Sequence, residues 1–568
     1  MEKLKDTGTG LSSFQTAALF LILIAAFALR VWGISFGLPD LYHADEPIVV
    51  NHALAYGTGD LNPHFFKIPP LASYFLFGCF GCYYLIARLT GAIHGVGDFE
   101  NLFLSDPSSF YFIGRLVLGA FLGVLTVYVF YRFLKKSFSI RHALLGALFL
   151  GVNFLHVRDS HYIYADIPLL LAMTAAFFPI LNVLERGRLR DYALFGVWLG
   201  VCVAVKYNGV FVFVPFLAAH FLRERFRFSS FFSPAVFATG AISIAVFFLL
   251  NPFAFLDWGH FFNELFKQSG AEGFTGFLHH LTYSLTGALG LPLLILGFAG
   301  TAVSAFRRDP KRLIFISFLL AYYGVIVFFG QPYDRYVLPM IPFFIFFAAD
   351  VLLELKSLFR LNGLVFGFLV GIAAAFPLAK SVLCDRLMAE PDVRTVSKEW
   401  VESHLAPGTR IALDVPFFMP RLKLSIGQLQ KKRGLALQNG SSAQVRRVER
   451  MIALAGRDEG PRYELYYLGD PNRESFFFTS GKVPYDVRDL RDRGIEYVLI
   501  ARISPDFHPA FYGSLAQSAT LAARFSPYED ASRLWPVDRQ PLTGAPFLMK
   551  DLLSRRRNGQ IIEIYRLA

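Results

Sequence analysis

The chain has 568 residues, of which 54% are hydrophobic and only 17% are charged, and its formal net charge is +12. Soluble domains usually contain about 25% charged residues, so this composition excludes an ordinary soluble protein. The positive charge does not indicate a nucleic-acid partner, because most basic residues before position 384 lie in short loops between apolar runs. Beyond that position charged residues recur every few positions. The sequence therefore predicts a membrane domain, residues 1–384, and a soluble domain, residues 385–568.

The membrane domain is predicted to be polytopic and α-helical, with about eleven transmembrane helices. A bilayer core of about 30 Å needs roughly 20 apolar residues in helical form. The candidate spans lie at 13–32, 110–134, 142–157, 167–184, 192–205, 208–222, 231–250, 283–305, 313–329, 336–354 and 362–383.

One more apolar stretch, 69–90, decides the orientation of every later segment. If it does not cross, the loops richest in Lys and Arg, such as 135–141, 186–190 and 307–312, all share the side of the N-terminus. Basic loops are retained in the cytoplasm, so we predict that 69–90 is an interfacial or re-entrant helix. It then belongs to a large first extracytoplasmic loop, 34–109. The protein is expected in the cell inner (plasma) membrane, with a cytoplasmic N-terminus and an extracytoplasmic C-terminal domain.

The C-terminal domain is predicted to have a mixed α/β fold. Residues 397–408 have the pattern of an amphipathic helix ended by Pro-Gly, and 410–415 and 495–503 have the composition of strands. The basic residues within 431–450 are most simply the solvated face of a helix.

Polar residues with chemical potential gather in the predicted extracytoplasmic loops. His43, Asp45 and Glu46 lie just after the first span, and Pro47 follows, so that either acid has a structural role as the cap of a helix that starts there. A lone lysine at an interface, such as Lys67, usually extends its ammonium group to water.

The later loops on the same side add charges of both signs. Arg158, Asp159, His161 and Asp166 lie within a few residues of one another, and Asp166 is equally suited to cap the following helix. Lys206 lies between two short apolar segments, and Arg335 opens a span. Ionisable groups at such depths tend to face a cavity or a ligand. The sequence thus predicts a polar pocket of mixed charge at the membrane surface.

At these residues the sequence resembles the protein O-mannosyltransferases and the lipid A aminoarabinose transferase, which are membrane glycosyltransferases of family 39 with the C-type fold. The positions that match the family pattern are Arg30, Asp45-Glu46, Gly59-Asp60, Lys67 before Pro69-Pro70, Asp166-Ile167-Pro168, Lys206-Tyr207 and Arg335-Tyr336 through Pro342. One departure is that Phe66-Lys67-Ile68-Pro69 stands where the aminoarabinose transferase has Glu-Lys-Pro, so a metal-binding glutamate is missing there.

The residues and the resemblance together imply a sugar transfer from a polyprenyl-phosphate donor to a hydroxyl of a lipid, glycan or protein, with inversion at the anomeric carbon. A phosphate leaving group needs cations, whereas the acceptor hydroxyl needs a base. The implied base is Asp45, with Glu46 or Asp166 positioning the sugar or acceptor. The implied donor phosphate ligands are Lys67, Lys206 and Arg335, and the implied pocket residues are His43, Arg158, Asp159, His161 and Tyr336.

Two alternatives stay open at the level of sequence. His43, Asp45, Glu46, His161 and Asp166 are residue types that bind a divalent metal, although their spacing is not that of a tight metal site. A lipid-linked sugar flippase or transporter would also combine many spans with buried charges. Transporters usually show an internal repeat and charges near the midplane, whereas here the polar motifs gather on one face. The pattern therefore favours a glycosyltransferase.

Overall fold

The computed structural model describes residues 13–267, 276–438, 440, 442–458, 460–469, 482–530, 532–538 and 545–567. The chain divides into two compact units. The first, called the helical unit, comprises 1–32, 48–81 and 113–385, and the second, called the sheet unit, comprises 33–47, 82–112 and 386–568.

The first nineteen α-helices in chain order fall in the apolar part of the sequence. They are α1 (Ser13–Val31), α2 (Glu46–Ala55), α3 (Leu71–Leu89), α4 (Val96–Ser105), α5 (Ser108–Gly114), α6 (Leu122–Ser137), α7 (Ile140–Gly151), α8 (Phe154–Asp159), α9 (Asp166–Glu185), α10 (Leu189–Val205), α11 (Phe213–Arg223), α12 (Pro234–Leu250), α13 (Pro252–Leu256), α14 (Trp258–Lys267), α15 (Gly276–His279), α16 (Thr286–Arg307), α17 (Pro310–Ile326), α18 (Ile341–Leu358) and α19 (Gly363–Ala389).

Tighter and wider helical turns join several of these helices. The 3₁₀ segments are Tyr56–Thr58, Tyr207–Val212, Phe228–Phe232, Asp334–Met340 and, in the sheet unit, Pro416–Phe418. The π-helical segments are Arg115–Phe121, between α5 and α6, and His280–Leu285, between α15 and α16.

Each of the predicted spans coincides with helix, which confirms a polytopic helical membrane protein. Within the described residues, eight helical segments are long and apolar enough to cross a bilayer: Ser13–Val31, Leu71–Leu89, Ser108–Ser137, Asp166–Glu185, Phe228–Leu250, Gly276–Arg307, Asp334–Leu358 and Gly363–His404. Others are shorter; α10 has 17 residues, or roughly 25 Å of helix. The number of crossings, and the prediction that 69–90 does not cross, stay predictions.

Small residues allow the helices of the helical unit to approach closely. A Cβ atom on Gly196 or Gly200 of α10 would lie 2.8 or 2.7 Å from a backbone carbonyl oxygen of α12, and Gly300 of α16 faces the carbonyl of Phe347 in α18 in the same way. Glycine at such spacing is typical of membrane helices, whose association depends on close packing because lipid is as apolar as their side chains.

Another glycine contact fixes the loop between α8 and α9. A Cβ atom on Gly119, in the π-helical segment, would lie 2.1 Å from the backbone carbonyl oxygen of Ser160. The hydroxyl of Ser160 donates to the backbone oxygen of His156 at 2.7 Å. The loop that follows Asp159 therefore lies directly on the bare backbone of this segment.

The sheet unit contains the remaining helices and a six-stranded sheet. The helices are α20 (Val393–His404), α21 (Ile426–Gln438), α22 (Ser442–Ala455), α23 (Val487–Asp492), α24 (Pro509–Ser518) and α25 (Met549–Ser554). The strands are β1 (Arg410–Leu413), β2 (Glu464–Leu468), β3 (Lys482–Val483), β4 (Tyr497–Arg502), β5 (Ala519–Phe525) and β6 (Ile561–Leu567). Their order is β3-β2-β1-β4-β6-β5, with the first four parallel and β6 antiparallel to both neighbours.

Both faces of this sheet are buried, which explains the continuous apolar run of β4. Val498 and Ile500 pack into one core, with residues of α23 and α24, whereas Leu499 and Ala501 pack into the other, with residues of α20. Strands covered on both faces lose the alternation of polar and apolar residues. The predicted helix at 397–408 and the predicted strands at 410–415 and 495–503 are confirmed as α20, β1 and β4.

The Gly119 contact leads to a stability prediction. In Gly119→Ala the new methyl group collides with backbone rather than with a flexible side chain, so we expect a loss of about 1–3 kcal/mol in unfolding free energy. Thermal unfolding of the purified protein in detergent would show it as a lowered midpoint. Gly240→Ala in α12 is the matched control, because nothing lies within 4 Å of its Cβ position. Equal midpoints for the two variants would contradict the packing argument.

Candidate active site

An ion pair joins two of the predicted site residues in the helical unit. Nζ of Lys206 donates to Oδ1 of Asp166 at 2.7 Å, and both side chains are largely buried. Asp166 is the first residue of α9, while Ala165 occupies the N-cap position without a side-chain bond. The carboxylate thus lies near the positive end of the helix dipole, and it contacts a cation rather than capping the backbone. Its Oδ2 atom is buried and has no hydrogen-bond partner among the described residues.

A sharp change of direction after α10 positions Lys206. Its backbone is extended, with φ −158° and ψ 136°, and its carbonyl oxygen accepts from the amide of Gly209 at 2.8 Å. A Cβ atom on Gly209 would lie 2.3 Å from the backbone of Cys202, so the turn requires glycine. The ammonium group is thereby held at the junction of α10 and the 3₁₀ segment that precedes α11.

Two of the predicted phosphate ligands, Lys206 and Arg335, lie against the ring of Tyr164. Nζ of Lys206 lies 5.2 Å from the ring centroid, and the guanidinium carbon of Arg335 lies 4.7 Å from it. Tyr336 is 6.0 Å from the same ammonium, and Tyr333 is 4.9 Å from the guanidinium. Cation–π attraction stabilises both groups, and for Lys206 it adds to the ion pair with Asp166. Residues more than a hundred positions apart in the sequence therefore place two positive charges against one aromatic ring.

Arg158 has a different environment from these two cations. It donates to Asp159 at 2.8 Å and to both oxygens of Asp334, at 2.6 and 3.1 Å. Two carboxylates thus balance its charge and tie α8 to the 3₁₀ segment that contains Arg335. The main observed effect of the Arg158 contacts is to hold the backbone beside Arg335, whose amide donates to Asp334 at 2.7 Å.

His161 is fully buried and bonded to the backbone. Its Nδ1 lies 3.0 Å from the carbonyl oxygen of Val157, and its Nε2 lies 3.0 Å from that of Trp32. Burial lowers the pKa of His161 to about 4, so the imidazole is neutral at physiological pH and donates to only one of these oxygens. These contacts hold the loop against α1 and place the ring inside the packed interior.

Arg30 is also buried near this loop. It donates to the carbonyl oxygens of Ala26 at 2.7 Å and Gly151 at 2.9 Å, and it lies 2.5 Å from Nδ1 of His156. These contacts join α1 to α7 and α8. The family pattern at Arg30 thus corresponds to a link between helices.

Lys67 is exposed and forms no ion pair with any described residue. The segment that contains it is nevertheless fixed, because the hydroxyl of Tyr207 donates to the carbonyl oxygen of Phe66 at 2.7 Å and Glu264 accepts from the amide of Phe66. Tyr207 directly follows Lys206. The structure therefore connects the backbone next to Lys67 with the backbone next to Lys206.

The first-loop acids belong to residues 33–47 of the sheet unit. Helix α2 begins at Glu46, one residue before Pro47, where the helix was predicted to begin. Glu46 is fully buried, Asp45 is partly exposed, and His43 is buried. The amide of Asp45 donates to Nδ1 of His43 at 3.3 Å, which fixes the backbone just before the helix.

The grouping of His, Cys, Asp and Glu side chains decides whether the chain offers a metal site. Among the residues that the structure describes, no three His, Cys, Asp or Glu side chains are grouped so that they could hold a metal ion. The residue types that the sequence offered, His43, Asp45, Glu46, His161 and Asp166, do not form such a group there.

Four residues of this region were not predicted as site residues from the sequence. They are Tyr164, Asp334, Glu264 and Asp385, and the last has both carboxylate oxygens buried, with Oδ1 3.8 Å from Nε2 of His161. Tyr164 and Asp334 each lie within two residues of a predicted site residue, and this proximity was the only signal in the sequence. Glu264 and Asp385 lie in helical segments far from every motif.

Comparison with known proteins finds similarity to membrane mannosyltransferases over part of the chain. Residues 112–250 match the family model described as dolichyl-phosphate-mannose-protein mannosyltransferase. The dolichyl-phosphate-mannose–protein mannosyltransferase 1 of Saccharomyces cerevisiae is 29% identical over 222 residues, which is 36% of this chain. The match spans only 25% of that relative's length.

Among solved structures, the crystal structure of ArnT from Cupriavidus metallidurans in the apo state is similar over nearly its whole length. The TM-score is 0.52 and the identity 14%, over 90% of this chain and 97% of that one. At this identity the likeness concerns the fold.

Proposed function

We propose that this chain, a protein O-mannosyltransferase-like protein with the polytopic fold of the C-type membrane glycosyltransferases, transfers a sugar from a polyprenyl-phosphate donor to a hydroxyl group. The donor class follows from the dolichyl-phosphate-mannose in the names of the matching family model and the yeast relative. The acceptor is a lipid, a glycan or a protein that presents this hydroxyl.

The single observation that carries the proposal is the pair of cations on Tyr164. Lys206 and Arg335 lie against one ring, and Asp166 forms an ion pair with Lys206. Two cations held this close together create a positive potential that attracts an incoming anion. A phosphate between them would accept from the planar guanidinium in bidentate geometry and from the ammonium as a point charge.

The proposed reaction is a direct displacement. An acceptor oxygen attacks the anomeric carbon and loses its proton to a base, while the bond from that carbon to the phosphate oxygen breaks and its electron pair leaves on polyprenyl phosphate. The leaving group gains negative charge in the transition state. Lys206 and Arg335 would stabilise that charge, and the exposed Lys67 would add a third cation at the entrance.

Asp45 is the proposed base. It is the partly exposed member of the acidic pair, whereas Glu46 is fully buried at the start of α2. Asp45 is also the acid that the resemblance assigns to catalysis. Glu46 would then stabilise the loop, and Asp166 would hold Lys206 and orient the sugar or acceptor.

We further propose that this chemistry takes place on the extracytoplasmic side of the inner membrane. The support is the distribution of charge: basic residues crowd the opposite loops, whereas the site residues come from loops with few lysines and arginines. This assignment requires that 69–90 does not cross and that the C-terminal domain lies outside the cytoplasm.

The base assignment predicts separate effects on turnover and on donor affinity. Asp45→Asn keeps the shape and removes the base, so turnover should fall by about 10² to 10⁴ with little change in donor KM. The rate is measured as release of polyprenyl phosphate from polyprenyl-phosphate mannose in membranes that supply the acceptor. Glu46→Gln is the comparison variant. If Asp45→Asn transfers at the wild-type rate and Glu46→Gln does not, the two roles are reversed.

The assignment of Arg335 as a phosphate ligand predicts an effect on donor KM rather than on turnover. Arg335→Gln removes a charge-assisted bond to the donor, so its KM should rise about ten- to a hundredfold in the same assay. Arg335→Lys keeps the charge but loses bidentate geometry, and an intermediate value is expected. Arg88→Gln is the matched control, since it removes the same charge from an exposed position at the end of α3. A donor KM unchanged in Arg335→Gln would rule out this phosphate site.

The orientation predicts where a secreted reporter becomes active. Alkaline phosphatase, which needs the disulfides formed outside the cytoplasm, should be active when inserted at Asp60, at Asp106 or after the C-terminus. It should be inactive at Ser139, between α6 and α7. Opposite results at Asp60 and Asp106 would show that the helix Leu71–Leu89 crosses the membrane.

A further inference from the structure

A large cavity with an excess of positive charge lies within the sheet unit. Its volume is about 1100 Å³, and its wall is formed by the loop before α21, the α21–α22 pair, and the β2 and β3 edge of the sheet. Small-molecule sites usually occupy about 300–1000 Å³, so this space accommodates a ligand at the upper end of that range. None of the residues placed in the proposed reaction lines it.

The charges that line the cavity are strongly unbalanced. Eight are basic and two are acidic, namely Arg421, Lys423, Lys431, Lys432, Arg457, Arg462, Lys482 and Arg493 against Asp458 and Glu464. Asp458 is already bound by Lys423 at 2.7 Å and Arg462 at 3.1 Å, and Glu464 by Arg410 at 3.2 Å. Within the described residues, Arg421, Lys431, Lys432 and Arg457 form no ion pair with a carboxylate.

Arg421 and Lys432 are only partly exposed, and a charge that is partly buried without a counter-charge has a high desolvation cost. Burial lowers the pKa of Arg421, and burial together with the nearby Arg447 lowers the pKa of Lys432. In addition, Nε of Arg462 is buried and has no hydrogen-bond partner among the described residues. Charged groups and donors in such positions are normally satisfied, and among the described residues no carboxylate balances these cations.

The other side of the cavity is aliphatic. Leu435 of α21, Met451 and Leu454 of α22, and Leu104 of α4 line it. Helices α21 and α22 have one face toward solvent and one toward the cavity. Arg433 and Glu449 form an ion pair at 2.7 Å at exposed positions, whereas Lys432 and Leu435 line the cavity. The basic residues of 431–450 were predicted to lie on a solvated face. Lys431 and Arg433 are exposed, whereas Lys432 is only partly exposed, and both Lys431 and Lys432 line the cavity.

We propose that this cavity binds an amphipathic phosphate ester, with its anionic head on Arg421 and Lys432 and its hydrocarbon part on the aliphatic wall. A simple inorganic anion would use the cations but leave the leucines and the methionine without a role. A neutral lipid would use the aliphatic wall but leave the cations unbalanced. Only a ligand with both parts matches the two halves of the lining, and its binding is independent of the sugar transfer proposed above.

The test is a calorimetric titration of the full chain in nanodiscs with dihexanoyl phosphatidic acid, a soluble phosphate ester with two short acyl chains. Dihexanoyl phosphatidylcholine, which has the same chains and no net charge, and inorganic phosphate are titrated in parallel. We expect saturable binding of the phosphatidic acid that is at least tenfold tighter than that of either comparison ligand. Equal binding of the two lipids would overturn the proposal.

Variants separate the two halves of the site. Arg421→Gln and Lys432→Gln should each weaken binding about ten- to a hundredfold, because each removes a charge-assisted bond, whereas the control Arg433→Gln should leave it unchanged. Leu435→Gln should weaken binding of the phosphatidic acid but not of inorganic phosphate. Lys432 provides a second charge variant at a less buried position if Arg421→Gln lowers the thermal midpoint. Wild-type affinity in both charge variants would overturn the proposal, and inorganic phosphate binding as tightly as the lipid would overturn its amphipathic part.

Discussion

An ionisable group inside an apolar helix bundle is stable only when another group compensates it, and the site of this protein depends on that constraint. Two forms of compensation occur side by side. Arg158 is neutralised by Asp159 and Asp334 and acts as a fixed joint between α8 and the segment of Arg335. Lys206 is compensated by Asp166, and both Lys206 and Arg335 also lie against the ring of Tyr164.

The same constraint links the fold to the proposed chemistry. The turn at Gly209 and the bare backbone at Gly119 allow helix ends and charged loops to pack closely. Close packing favours preorganised charge, which is a large part of catalysis when negative charge develops on a leaving group. An inverting displacement from a lipid phosphate needs this kind of site more than it needs an acid.

Much of this arrangement could be predicted from the sequence because it is encoded locally. Apolar run length gives the helices, Pro47 after an acid gives the start of α2, and uninterrupted apolar residues give β4. Lys206 and Arg335 stood out because charges are rare at the ends of apolar segments. Their shared contact with Tyr164 could not be predicted, since it depends on how α9, α10 and the segment of Arg335 pack, and a tyrosine is common in such loops.

The roles of neighbouring charges were equally inaccessible from one sequence. Arg158 and Lys206 look alike as isolated cations, and only the structure shows that Asp159 and Asp334 bind the first whereas Asp166 and the ring of Tyr164 contact the second. Likewise Lys432 and Arg433 are adjacent in the sequence, and the helix rotation between them decides which faces the cavity of the sheet unit.

The central claim is that Lys206 and Arg335 form the binding site for the phosphate of a lipid-linked sugar. The most direct measurement is a cryo-electron microscopy map of the full chain in nanodiscs with a non-transferable phosphonate analogue of a polyprenyl-phosphate sugar. The account predicts phosphonate density within hydrogen-bonding distance of both Nζ of Lys206 and the guanidinium of Arg335, beside the ring of Tyr164. Phosphonate density bound elsewhere, away from both cations, would contradict it.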